Sequence, residues 1–205
     1  MPALNPFPGS GMTIAGPWSG PLRLAVIDPW FPVRGARSFE MAEFAALEAW
    51  RPEAIAAPLD RLRELAAFVA SGACSCPPVT HGLIALARLG RPPLEQADRD
   101  LLWRAFEAPV YQQLRDWNGE LLAWECEAHD GLHIETGAEA RLRVDSGPDR
   151  ELLFRTAAGG FGRDLATGLA ASITEATCPC GRGGARLIGL RARAGLVLDE
   201  LPVGA

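Results

Sequence analysis

The sequence predicts an α/β fold: a parallel α/β layer followed by a small antiparallel β region with a structural metal site. Three observations predict it. Apolar runs alternate with amphipathic helical segments up to residue 118, and strands alternating with helices argue for a parallel layer. From residue 120 the apolar runs shorten and are separated by Gly, Asp and Pro, which suits antiparallel strands. Two groups of Cys and His with metal-ligand spacing, Cys126-x-x-His129 and Cys178-x-Cys180, fall in that second region.

The elements follow in order. Residues 1–21 form an arm rich in Pro and Gly, and residues 22–205 a single α/β domain. Leu22 to Ile27 reads as a strand ended by Asp28-Pro29. Ser38 stands where an N-cap belongs, before Met41, Phe44, Ala45 and Leu47 at helical spacing through Trp50. After the Arg51-Pro52 stop, Ala54 to Ala57 is a short strand. Pro58 then opens a helix with Leu59, Leu62, Leu65, Ala66 and Val69 on one face, closed by Gly72. His81 to Leu89 is a buried strand, Leu94 to Phe106 a helix, and Val110 to Leu114 the next strand. Leu121–Glu125, Gly131–Glu135, Ala140–Val144 and Glu151–Arg155 are the antiparallel candidates.

Composition narrows the function. With 205 residues, 48% of them hydrophobic, the chain can bury one good-sized core. A formal charge of −5 argues against a nucleic-acid partner. No apolar run is long enough to cross a bilayer, and the N-terminus lacks the pattern of a signal peptide. Five cysteines suit reduced thiols or metal ligands better than a disulfide framework, so a cytoplasmic location is expected. All 20 basic residues are arginine, which removes Schiff-base and P-loop lysine chemistry from this chain.

Cys126, His129, Cys178 and Cys180 together supply the four N/S ligands of a closed structural site, and mixed Cys/His ligation favours zinc. His133 is the alternative fourth ligand. If Leu121 to Ile134 is mainly a hairpin, His129 lies nearer the tight turn after Cys126 and is preferred. Gly181-Arg182-Gly183-Gly184 reads as a turn around the metal rather than a phosphate cradle, and Gly159 to Gly162 as a loop. Cys74 and Cys76, with His81 following, read as free thiols; the alternative is a loop that lends a ligand to the main site. Asp98, Asp100, Glu125 and Glu127 read as solvated carboxylates. Trp103, Trp117 and Trp124 read as core or interface.

Trp124-Glu-Cys-Glu-Ala-His-Asp-Gly-Leu-His-Ile134, followed by Cys178-Pro-Cys-Gly-Arg182, resembles the phenylacetate–CoA ligase branch of the adenylate-forming enzymes. Upstream, Trp50-Arg-Pro-Glu-Ala-Ile-Ala-Ala-Pro-Leu-Asp-Arg-Leu62 is similar to a strand–helix step of that family. Phe106 to Gln113 is similar to the strand that enters its Tyr-Gly-x-Thr-Glu motif. The likeness spans residues 45–190 and implies the second half of the family's large domain. It also implies a truncated and degenerate copy. Leu114-Arg115-Asp116-Trp117-Asn118 stands at the Tyr-Gly-x-Thr-Glu position, so Asn118 replaces the magnesium-facing glutamate. Leu169, in Ala166-Thr167-Gly168-Leu169, replaces the aspartate that would hold the ATP ribose. Residues 1–44 show no phosphate loop, and no lid lysine is present. The expectation is a non-catalytic zinc protein that does not bind ATP and acts through a protein partner or as a homodimer, the arm serving as a docking strap. The competing expectation is a subunit of a split AMP-forming acyl-CoA ligase, or a small acyl- or CoA-handling enzyme.

Overall fold

The computed structural model describes residues 12–18, 22–72, 79–143, 150–156 and 164–193. Two-residue β1 (Met12–Thr13) pairs in parallel with β3 (Val33–Arg34). The parallel half of the main sheet comprises β2 (Leu24–Ile27), β4 (Arg37–Phe39), β5 (Ala54–Pro58), β6 (Gly82–Arg88) and β7 (Val110–Arg115), in the order β4-β2-β5-β6-β7. The antiparallel half adds β8 (Leu121–Glu125), β9 (Leu132–Ile134), β10 (Ala138–Leu142), β11 (Glu151–Thr156), β12 (Leu165–Thr174) and β13 (Arg186–Ala192). It continues the sheet from β7 as β8-β9-β13-β12-β11-β10. Parallel α/β layer and antiparallel extension thus share one sheet, of eleven strands among the described residues.

Strand alternation assigns each face its cover. Ile55, Ala57, Leu83 and Ala85 point toward α1 (Phe44–Trp50), α2 (Leu59–Ala70) and α3 (Gln96–Phe106), and form a core with Leu62, Leu65 and Leu102. Leu62 and Leu65 are fully buried, each worth about 1.5–3 kcal/mol in apolar transfer. The intervening Val26, Ala54, Ala56, Ile84 and Leu86 face the other way. Met12, Ile14, Trp18, Trp30 and Val33 cover them. So segment 12–18 packs on its own sheet: Trp18 meets Tyr111 and His81 edge-on at 5.9 and 6.1 Å. The antiparallel half curls back, and the Gly90 N–H donates to the Thr167 carbonyl at 3.2 Å. Leu89, Leu114, Leu122, Leu132, Phe154, Leu169 and Leu187 fill the inside of the curl.

Several expectations need correcting. Ser38 does not cap a helix; it pairs with Val26 in β4, where the strand ladder satisfies its backbone. The helix start belongs to a 3-10 turn (Met41–Glu43) with a Glu40–Glu43 capping box. Asp98 is not solvated. It completes a capping box with Glu95 and takes a two-pronged hydrogen bond from Arg63, at 2.7 and 2.9 Å, tying α2 to α3. Burial alone would raise the Asp98 pKa, but the Arg63 hydrogen bonds, the Glu95 backbone hydrogen bond and the Arg63 charge together outweigh it and hold the carboxyl below its ordinary value. No helix of the described residues is long and apolar enough to cross a membrane.

Candidate metal centre

β8 ends at Glu125, and the chain turns through Cys126–His129 before β9 returns. In register, Trp124 lies opposite His133. Cys126, two residues beyond Trp124, therefore shares a sheet face with His133. The Arg186–His133 pair then brings β13 alongside β9, and with it the loop before β13 that carries Cys178 and Cys180. Gly131 permits the close approach. With φ near +83° it is left-handed, and a Cβ there would lie 2.4 Å from the Leu187 carbonyl oxygen.

The result is one cluster. A ligand atom each from Cys126, His133, Cys178 and Cys180 lies within 4.8 Å of all the others. Cys126 Sγ and Cys178 Sγ are 3.6 Å apart, and Cys180 Sγ is 3.5 Å from His133 Nε2. Tetrahedral zinc with ordinary bond lengths would give edges of about 3.8 Å for S–S and about 3.5 Å for S–N. The three cysteines are free thiols. The donor set fits a closed four-coordinate site, so the cluster can hold a metal such as zinc.

Electrostatics favour a cation there. Burial pushes the Cys126 thiol up to about 12, so an anionic sulfur at that position needs a positive partner. Burial and then the nearby Arg186 and Arg182 hold His133 below its ordinary value, keeping the imidazole neutral as ligation requires. Burial pushes Cys180 up, yet hydrogen bonds led by the Arg182 backbone more than offset it and leave the thiol lowered. Three thiolates around a divalent ion leave one net negative charge. Arg182 and Arg186 flank it: Arg182 lies 5.2 Å over the Trp124 ring and pairs with Glu127 at 2.8 Å, while Arg186 pairs with Asp130 at 2.8 Å. Around Cys178-Pro-Cys-Gly the Gly181 N–H donates to the Cys178 carbonyl at 2.8 Å, so this stretch is a turn.

His129, the fourth ligand preferred from sequence, is not in the cluster; its alternative His133 is. His129 adopts a left-handed backbone with φ near +51°. Its ring stacks on Tyr111 with centroids 4.9 Å apart, and its Nδ1 lies 3.1 Å from Glu125 Oε1. Glu125, expected to be solvated, is buried. It accepts from Arg99 at 2.9 and 2.8 Å and from the Gln112 N–H at 2.9 Å. The alternation Trp124, Cys126 and the cross-strand place of His133 carried the signal that could have decided between the two histidines. Cys74, Cys76 and Gly159 to Gly162 lie outside the described residues.

No family model matches the chain, and no curated protein matches its sequence. Solved structures do. A 2-hydroxyisobutyryl-CoA ligase, crystallised with 2-HIB-AMP and CoA, superposes with TM-score 0.64 at 17% identity, covering 84% of this chain and 45% of the ligase. Coronafacic acid ligase from Pectobacterium brasiliense gives 0.57 at 14% identity, over 85% of this chain and 40% of the ligase. The amide bond synthetase McbA from Marinactinospora thermotolerans gives 0.52 at 16% identity, over 84% and 42%. The chain spans less than half the length of each. It has the fold of part of an adenylate-forming ligase.

Proposed function

We propose that the chain is a non-catalytic metalloprotein on a phenylacetate–CoA ligase-like scaffold, acting through a protein partner or as an accessory subunit. Cys126, His133, Cys178 and Cys180 would hold zinc as a structural ion. The observation that carries the non-catalytic reading is Arg115. The resemblance puts it at the glycine of Tyr-Gly-x-Thr-Glu, and in this chain it is a fully buried side chain. Its guanidinium donates to Gln113 Oε1, to the Gly119 carbonyl at 2.6 Å and to the Thr13 carbonyl at 2.7 Å. Gln113 donates to the Ala15 carbonyl beside it. Burial lowers Arg115 to about 10, so it stays charged at neutral pH. A charged side chain and a backbone segment thus fill the carboxyl end of β7.

Two further positions agree. Leu169, at the ribose-aspartate position, is buried in the apolar interior of the curl. Asn118 replaces a magnesium-binding carboxylate with a neutral amide and lies in the turn held by Asp116. Calorimetry with magnesium-ATP on the metal-loaded chain should show no micromolar binding, since each missing charge-assisted contact costs about 1.5–3 kcal/mol. A micromolar Kd would overturn the reading.

A second reading, which the ligase-like fold also supports, is a subunit of a split acyl-CoA ligase. ATP-dependent acyl adenylation that appears only when a second polypeptide is added would decide for it.

A further inference from the structure

Beside the metal centre, the outer face of α3 borders a cavity of about 380 Å³. Gln96, Arg99, Asp100 and Trp103 line it from the helix, and Glu125 and His129 from across. Arg99 and Glu125 satisfy each other, as described above, so what they present to the cavity is close to neutral. The remaining groups are acceptors and a π face. Asp100 meets no cation among the described residues; its Oδ1 accepts from Gln96 Nε2 at 2.8 Å. That bond uses the Gln96 amide nitrogen and leaves its Oε1 as an acceptor. His129, whose Nδ1 lies 3.1 Å from Glu125 Oε1, closes the far wall. Trp103 is 55% exposed, and no ring or cation lies on its indole among the described residues.

We propose that this cavity binds an alkylammonium group. A primary ammonium has three N–H donors and no acceptor. The Asp100 carboxylate, with two oxygens, and Gln96 Oε1 supply three acceptor atoms, and Trp103 supplies a face for the cation. Asp100 and Trp103, three apart on one helix, sit side by side at the cavity edge. An anion would meet the unpaired Asp100, and an apolar group would leave the acceptors unsatisfied. The chain has no lysine of its own, so a side-chain ammonium comes from outside it; the source is a lysine side chain of another polypeptide or a free primary amine. The proposal does not depend on the identity of the metal or on the absence of catalysis.

The test is a titration of the metal-loaded full chain with n-butylamine hydrochloride and, separately, with acetyl-Gly-Lys-Gly-amide. n-Butanol is the uncharged control. The indole N–H resonance of Trp103, assigned by its loss in Trp103→Phe, reports binding. Both cations should shift it saturably and butanol should not. Asp100→Asn, read by the same resonance, and Trp103→Leu, read by calorimetry alongside the wild type, should each weaken binding at least about fivefold, the range expected for one charge or one cation–π contact. Both positions lie on the helix surface, so metal content should not change. A peptide that binds about tenfold tighter than butylamine identifies a polypeptide lysine as the source; equal affinities identify a free amine. Equal shifts with butanol, no saturable shift with either cation, or wild-type affinity in both variants would overturn the proposal.

Discussion

The two halves of the sheet are held in different ways. The parallel half is a sandwich: helices bury one face, and segment 12–18 with residues 30–36 buries the other. Its stability is apolar area, spread over many side chains. The antiparallel half has a core inside its curl, but the β8–β9 turn and the loop before β13 meet at four ligand atoms and two Arg–Asp/Glu pairs. The strands reach the core through Leu122, Leu132 and Leu187, but the turn and the Gly-rich loop add little apolar surface of their own. There, four ligand atoms close together add to that core.

With zinc held there as proposed, removing it should separate the behaviour of the two halves. Cys178→Ser, or chelation of the wild type, should cost about 3 kcal/mol or more, because metal binding free energy enters folding directly. Hydrogen exchange should rise first in β8, β9 and β13 and leave β5 and β6 protected. His133→Ala should lose metal and His129→Ala should retain it, as read by elemental analysis. Equal exchange in both halves would erase the contrast. Leu62→Ala tests the opposite side. It should cost about 2–5 kcal/mol with metal content unchanged, since it opens a cavity in the helix-covered core.

Arg63→Ala should have the smallest effect, about 1–2 kcal/mol at neutral pH, because the Arg63 side chain is nearly half exposed. Its pH dependence is distinctive. Asp98 is held below its ordinary value in the folded state, so its stabilisation is present above the unfolded carboxyl pKa of about 3.9. It is lost as pH falls through the lower folded value. Wild type and variant should converge in acid, as measured by urea unfolding from about pH 7 to pH 2.

Legibility in the sequence followed local pattern. β5, α2, β6, α3 and β7 were readable because apolar periodicity and Gly or Pro stops agree there. β12 and β13 were not anticipated. Leu165–Thr174 is mostly small residues with Gly168 inside, and Arg186–Ala192 is interrupted by Gly189, so neither resembles a β-branched strand. Their pairing is tertiary. The three cysteines of the centre were legible from spacing, but the choice of histidine depended on strand register, which spacing does not contain. Asp98 and Glu125 looked like surface acids because their arginine partners lie 35 and 26 residues away in sequence.

The contact between Thr13 and Arg115 joins residues 102 apart in sequence. On a ribosome adding 5–20 residues per second, Thr13 emerges roughly 5–20 s before the side chain it will cover. The side chains that cover Val26, Ala54 and Ala56 on that face, among them Met12, Ile14, Trp18, Trp30 and Val33, are made before Ala54. The bond that ties Thr13 to β7 waits for Arg115, however, and loop closure over such a span is slow to be rewarded. The earliest of these residues to be made is thus among the last to settle.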